Sequence, residues 1–476
     1  MKVLLIQQDL GTRETENAMF PIGLTYIASA LSNHQVKIFD PNLYPLASSG
    51  AELEKEIQKF QPDVVGISIR NIDTTNFRNK QVYFNTVKPM VLAIKEINPS
   101  IMIMTGGPGF SMFAEIIMNK IPEIDFGIYL EGEKSTPELL ANLENPEHVK
   151  GIFIRENDQL IYTGDRALPD FSEIPMPETA PEVIDIKKYL GPSYNIIGIQ
   201  TKRGCALNCG YCSYPNLNGR QVRLREVKDI VDQIEYFINQ FGMKRFVFVD
   251  SVFNVPKDHA INILDEMIRR NLDVQFGVWC HMKGITEDFL GLLKKAGAIQ
   301  IDFSPDAATN KGLSALKKGL TEQDIKNTIR MVRKIKGVGV GFGLFTSLPG
   351  YTLIDTIKTL ILPFKIQLAL PGRGGGGISY IKIEPDTHLQ KIAVKEGLIS
   401  KDDDLFPEDA NDLAKMFYRP HSQRYLNMLT DGFLGMFERI LKPTAVFVFR
   451  IFARLRGRKS PYDQKTGFVS FQKTKN

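Results

Sequence analysis

Cys205, Cys209 and Cys212 stand in residues 201–215 (TKRGCALNCGYCSYP) at the spacing C-x3-C-x2-C. Soft thiolates suit iron–sulfur clusters and zinc alike. Three of them can hold three irons of a 4Fe–4S cluster and leave the fourth iron open to a small molecule. Structural zinc is normally closed by four protein ligands, so a three-thiolate set points towards a reactive cluster. The fourth cysteine, Cys280, lies between Trp279 and His281. It reads as a buried, inert thiol; a fourth cluster ligand, a radical-site thiol and a Cys3His zinc site are its alternatives. His259 reads as structural, and His421, in a polar helical stretch, as a candidate substrate contact. Lys202 and Arg203 either tune the charge beside the first cysteine or are solvated.

The surrounding totals bound what such a site belongs to. With 476 residues, 43% hydrophobic and 24% charged, the chain is globular and long enough for two or three cores. Its 59 basic and 54 acidic side chains nearly cancel, and a net +5 gives no footprint for a nucleic-acid partner. Four cysteines, three of them clustered, read as metal ligands in a reducing compartment rather than a disulfide framework. The first residues, MKVLLI, form a strand-like run without a signal peptide's long apolar region. No apolar run approaches the roughly 20 residues of a membrane span, so the expected location is cytoplasmic.

Strand and helix patterns alternate from residue 1 to about 145, which predicts a doubly wound parallel sheet of five strands over 1–148. A capping box from Ser135 to Glu138 is expected to open its last helix. Such sheets bind ligands at the carboxyl ends of their strands, here the loops 8–16, 70–73, 106–111 and 131–133. Residues 149–190 read as a hairpin and an extended connector marked by Pro169, Pro175, Pro177 and Pro181. Six strand–helix units over 191–400 predict a partial (β/α)6 barrel, with the cysteine loop directly after the first strand, at the active end. Residues 372–377 (GRGGGG) read as a flexible connection before the last strand. Residues 401–476 form a helical extension. Its end, from Pro443 to Lys459, sets Phe447, Ile451 and Leu455 on one helical face among five basic residues. That pattern fits a terminal helix packed on the protein, or peripheral contact with an anionic membrane surface.

The cysteine motif, with Tyr211 before the third cysteine, resembles the signature of radical S-adenosylmethionine (SAM) enzymes. The first domain resembles the cobalamin-binding domain that precedes the barrel in one large subgroup, through Pro21 to Leu24 (PIGL), 63–68 (DVVGIS), 106–108 (GGP) and 131–133 (EGE). The resemblance implies that Cys205, Cys209 and Cys212 ligate the cluster and that SAM chelates its open iron. It implies SAM contacts at Tyr211, at Asp250 and Ser251 after the second barrel strand, and at Ser304 and Asp306 after the fourth. The usual Gly-Gly-Glu is absent at the second strand, and Asp306 stands where many relatives carry Glu. Cobalamin contacts are implied at Arg70, Asn71, Gly106, Gly107, Glu131 and Gly132. Many cobalamin domains place a histidine on cobalt through Asp-x-His-x2-Gly. Residues 8–16 contain no histidine, and the nearest imitation, Asp386-x-His388, lies outside the domain. The lower axial position is then weakly ligated or empty, with residues 70–73 nearest that face.

In this family a reduced cluster splits SAM to methionine and a 5′-deoxyadenosyl radical, which takes hydrogen from unactivated carbon. The resemblance therefore implies a radical SAM enzyme that C-methylates an unactivated carbon of a small molecule or lipid, with cobalamin as methyl carrier. An external electron donor of flavodoxin or ferredoxin type is implied. Two alternatives stand beside it: radical rearrangement, cyclisation or coupling without net methylation, and a non-catalytic cobalamin or metal sensor.

Overall fold

The computed structural model of the chain describes residues 1–12, 19–157, 159–190, 197–436 and 439. The basic segment from Pro443 to Lys459 and part of the loop 8–16 lie outside the described residues.

The first domain is built on β1 (Lys2–Gln7), β2 (Gln35–Phe39), β3 (Val64–Ser68), β4 (Met102–Gly106) and β5 (Phe126–Ile128), all parallel. Near-continuous apolar runs such as Val3 to Ile6 are buried on both faces, as expected of a sheet covered by helices. The expected hairpin forms as β6 (Ile152–Glu156) and β7 (Gln159–Tyr162), but it belongs to this sheet. It pairs antiparallel with β5 and completes the order β2-β1-β3-β4-β5-β6-β7. The helix after β5 spans Gly132–Ala141 and starts three residues before the expected cap, leaving Ser135 buried inside it with its hydroxyl unpartnered.

The proline-rich connector is packed rather than free. Phe171, Ile184, Ile186 and Tyr189 are buried, and the Ile38 amide donates to the Val183 carbonyl at 2.8 Å. One apolar core consequently runs from Val3 and Leu5 of the first sheet through Ile184 and Tyr189 into the second domain.

The second domain opens with β8 (Ile197–Ile199). A two-stranded ribbon follows, formed by β9 (Lys202–Arg203) and β10 (Arg223–Leu224). The sheet continues with β11 (Arg245–Phe248), β12 (Gln275–Cys280), β13 (Ala298–Asp306), β14 (Gly339–Thr346) and β15 (Gly374–Tyr380). All six main strands are parallel in the order β15-β14-β13-β12-β11-β8, an unclosed six-stranded barrel.

Residues 374–377, expected as a connection, are strand. Their glycines divide by face. A Cβ at Gly374 would stand 2.6 Å from Leu370 Cβ, and one at Gly376 would stand 3.0 Å from Pro363 Cβ, so these two let the helix Leu353–Ala369 press onto the strand. Gly375 and Gly377 face the other way, beside Gly341 and Gly343 of β14. Along β14 the even positions Val340, Phe342 and Leu344 are buried while the odd ones remain partly open, so a track of glycine backbone lines the lumen.

Candidate active site

The cysteine loop leaves β9 and ends at the short helix Tyr214–Asn218. Two glycines pin it. Gly204 has φ +86°, and a Cβ there would lie 2.0 Å from the Gln221 carbonyl oxygen, so no other residue fits without moving backbone. The Gly210 amide donates to Leu316 O and its carbonyl accepts from Leu389 N, both at 2.8 Å. His388 packs against Gly210, at the barrel mouth rather than in the first domain. Cys205, Cys209 and Cys212 are free thiols, each half-buried. Burial pushes the Cys209 thiol up and raises Cys212 to about 11, while Lys318 acts on Cys209 in the opposite sense and donates a hydrogen bond to it. Metal binding must supply the deprotonation these sites resist.

Among the described residues no three His, Cys, Asp or Glu side chains converge on one metal-sized point. The donor set, three thiols on one glycine-pinned loop, fits an iron–sulfur cluster. Cys280 is 4% exposed and packed in the apolar core, its thiol pushed up by burial. His281 is buried, with its Nδ1 accepting from the Lys283 amide, and desolvation lowers it to about 4. His259 is likewise buried, and His421 is exposed in a 3-10 turn.

The expected SAM residues separate into groups. The Tyr211 hydroxyl donates to Asp306 Oδ2, and Lys318 Nζ lies 2.6 Å from the same oxygen, so the half-buried Tyr211 and Cys209 join the buried Asp306 and Lys318 in one network at the end of β13. Asp250 is also committed. It accepts from Thr201 N at 2.8 Å, Thr201 Oγ1 at 2.6 Å and Lys202 N at 3.3 Å, and Lys202 Nζ stands 3.7 Å away. Its carboxylate holds the entry to the cysteine loop. Ser251 is half-buried and Ser304 exposed, the latter beside the open lumen.

At the ligand end of the first sheet, the loops after β3 and β4 touch. Gly107 has φ +99°, and a Cβ there would stand 2.8 Å from Ile69 O, while Ile69 N donates to Gly106 O at 2.8 Å. Arg70 and Asn71 are exposed on this rim. Arg70 Nη1 donates to Met19 Sδ at 3.1 Å, and desolvation lowers its pKa. Gln8, at the end of β1, is 1% exposed and neither carboxamide atom has a partner among the described residues. A buried unpaired amide is costly, and this rim therefore fits a ligand that brings hydrogen-bonding groups of its own, as a corrinoid does.

Glu131 and Gly132 stand where the two domains meet. Arg203 Nη1 reaches Glu131 Oε2 at 2.9 Å and Arg203 Nη2 reaches Glu133 Oε1 at 2.6 Å. Arg223 grips Glu131 from its other side. The guanidinium of Arg203 also stacks over Phe171 and Tyr26, at 4.4 and 5.1 Å. Burial would lower Arg203's pKa, but the Glu133 and Glu131 carboxylates outweigh it and raise it. The Glu131 carboxylate is thus committed to Arg203 and Arg223. A second tie joins Asp73 to Lys382 at 2.5 Å, both buried.

Sequence reasoning missed Lys318 and the Arg203 and Arg223 pairings. It also missed Asp302. Gln300, Asp302 and Ser304 alternate with Ile301 and Phe303 along β13. That period-two pattern was the available signal of a polar face inside the barrel.

Comparison with known proteins bears on both halves. The B12 binding domain family matches residues 10–140, and the radical SAM superfamily matches 199–362. An uncharacterized methyltransferase of Pyrococcus horikoshii is 28% identical over 319 residues, 66% of this chain and 66% of its own length. The anaerobic magnesium-protoporphyrin IX monomethyl ester cyclase of Cereibacter sphaeroides is 25% identical over 305 residues. These are 60% of this chain and 47% of the cyclase, so the chain spans two thirds or less of these relatives. The structure of the radical SAM methyltransferase TsrM from Kitasatospora setae, with cobalamin and a [4Fe-4S] cluster bound, superposes with a TM-score of 0.72 at 20% identity. It covers 87% of this chain and 84% of that one, a likeness of fold.

Proposed function

Because the chain belongs to the radical SAM proteins that carry a B12-binding domain before the barrel, we propose that it is a cobalamin-dependent enzyme that C-methylates an unactivated carbon. One observation carries this reading. Arg203, two residues before Cys205, is clamped to Glu131 and Glu133 at the ligand end of the first sheet. The clamp brings the cysteine loop and the B12-binding rim against each other, so that a substrate carbon between them can reach both. When bound, the cluster with SAM supplies a carbon radical and cobalamin supplies a methyl carrier.

The chain's own residues then have separable tasks. Cys205, Cys209 and Cys212 hold the cluster, and Gly204 and Gly210 fix their spacing. Lys318, Asp306 and Tyr211 stiffen the loop and place a cation beside Cys209. Ser251 and Ser304 are the open polar groups at the strand ends that face SAM. Arg70 and Asn71 would help hold a bound corrinoid, and the loop 8–16 contains no histidine. The buried apolar layer around the barrel excludes water from the radical's path.

No helix among the described residues is long and apolar enough to cross a membrane. We place the enzyme in the cytoplasm, reduced by a flavodoxin or ferredoxin type donor, with a small molecule or lipid as substrate. The identity to a cyclase keeps a second reading in view, radical cyclisation without net methylation. Product mass separates them, since methylation adds one CH2. Anaerobic reconstitution with iron, sulfide and cobalamin, followed by desalting and absorption spectroscopy, tests the proposal. One corrinoid retained per chain supports it; a chain that loads its cluster and retains no corrinoid is not a cobalamin methyltransferase.

A further inference from the structure

The lumen of the barrel holds a carboxylate that neither cofactor needs. Asp302 lies midway along β13, in register with Trp279 on one side and Gly341 on the other. Parallel neighbours in register share a face, so its side chain points inward with Trp279. Its carboxylate lies across β14, where a Cβ at Gly341 would stand 1.9 Å from Asp302 Oδ1. Gln300 does the same one step below, with its Oε1 2.1 Å from a Cβ at Gly339. Gln300 Nε2 donates to Asp302 Oδ1 at 2.8 Å, and that is the bond the structure gives this carboxylate. Oδ2 has no hydrogen-bond partner among the described residues. Among the described residues no cation acts on Asp302; burial raises it, to about 6, against the lowering pull of the Gln300 hydrogen bond. The nearby basic groups are spent elsewhere, Lys318 on Asp306 and Lys202 on Asp250 and the Phe253 carbonyl.

Among the described residues the wall beyond Gly341 carries no side chain. Gly375 follows it in register on β15, and a Cβ there would meet nothing within 4 Å. Gly343 and Gly377 repeat the pair one step nearer the mouth. A side-chain-free trough therefore runs from Asp302 towards the barrel mouth, where Phe345 packs on Tyr211 of the cysteine loop at 5.5 Å between ring centroids. A carboxylate with no counter-charge among the described residues, at the inner end of a side-chain-free trough, is a receptor for a cation.

We propose that Asp302 anchors the substrate, pairing with a protonated amine whose flat apolar body lies along the Gly341, Gly343, Gly375 and Gly377 trough with its far end towards the cluster loop. This names the substrate class, an amine, and it rests on the radical SAM reading only for what happens to that substrate afterwards. Pairing the amine offsets the desolvation of the carboxylate and sets one end of the molecule, so the carbon presented to the radical is fixed by its distance from nitrogen.

The test is binding, read by saturation-transfer NMR on the full chain with phenethylamine and its neutral counterpart 2-phenylethanol. Phenethylamine is expected to bind at least about fivefold tighter than the alcohol, about 1 kcal/mol at 1.4 kcal/mol per tenfold. Asp302→Asn, which keeps size and the Gln300 contact, should abolish that preference and leave alcohol binding unchanged. Gly375→Val, placed where a side chain has space, should weaken both probes. Equal binding of amine and alcohol by the wild-type chain, an amine preference that survives Asp302→Asn, or a Gly375→Val chain that binds as the wild type does would each overturn the proposal. SAM cleavage by the wild-type chain without any amine reports separately on the radical reading, so either can fail alone.

Discussion

Replacing Arg203 by Met probes the joint between the two domains. The side chain is 7% exposed, bridges Glu131 and Glu133, and lies on Phe171 and Tyr26. Glu131 keeps Arg223 after the substitution. Glu133, itself 5% exposed, loses the cation that the structure gives it. Removing one partner of a buried ion pair costs about 3–5 kcal/mol, mostly from the charge left behind. With an unfolding entropy of about 2.1 cal/mol/K per residue, a chain of 476 residues loses about 1 °C per kcal/mol, so the thermal transition should fall by about 3–5 °C. Adding Glu133→Gln removes the orphaned charge, so Arg203→Met with Glu133→Gln should melt above Arg203→Met alone, with a coupling of about 1–3 kcal/mol. The measurement is differential scanning calorimetry on the four chains of the cycle. A shift below about 2 °C for Arg203→Met, or strictly additive effects in the double variant, would refute the claim that this clamp couples the domains.

Three further outcomes follow from the geometry. Gly204→Ala should fold but bind little iron, because its Cβ would strike the Gln221 carbonyl in a left-handed turn; iron and sulfide assays check it, and a full cluster in this variant would show that the loop is not pinned there. Cys209→Ala should lose the electron paramagnetic resonance signal of the reduced cluster, and a signal like the wild type's would remove Cys209 from the ligand set. Asp302 has a folded pKa of about 6 against an ordinary 3.8. The folded chain thus takes up a proton that the unfolded chain has lost, and stability falls as pH rises from about 4 to about 6. Two units at ~1.4 kcal/mol each give about 2–3 kcal/mol. Asp302→Asn should therefore be more stable than the wild type at pH 8 and equal to it near pH 4, by urea denaturation; an equal difference at both pH values would contradict the shift.

What could be read in the sequence was what is local. The C-x3-C-x2-C spacing sits within one loop, and most strands of the two sheets declare themselves by short local runs, three to nine residues long in the fold. The pairing of Arg203 with Glu131 spans 72 residues, and no periodicity reveals it. The four glycines of 374–377 read as a connection because glycine has weak strand propensity. In the barrel they are strand because one face must admit Pro363 and Leu370 while the other stays bare. Asp250 and Asp306 were legible as acids at strand ends. Their commitment to Thr201 and Lys202, and to Tyr211 and Lys318, depends on neighbours that only the fold supplies.

The central claim is that one chain joins a SAM-splitting cluster to a corrinoid. Its most direct test is to quantify the products of SAM formed anaerobically by the reduced chain loaded with iron, sulfide and cobalamin. The account predicts both 5′-deoxyadenosine and S-adenosylhomocysteine, with 5′-deoxyadenosine lost in Cys209→Ala. A chain loaded with both cofactors that forms neither product, or only 5′-deoxyadenosine, would contradict it.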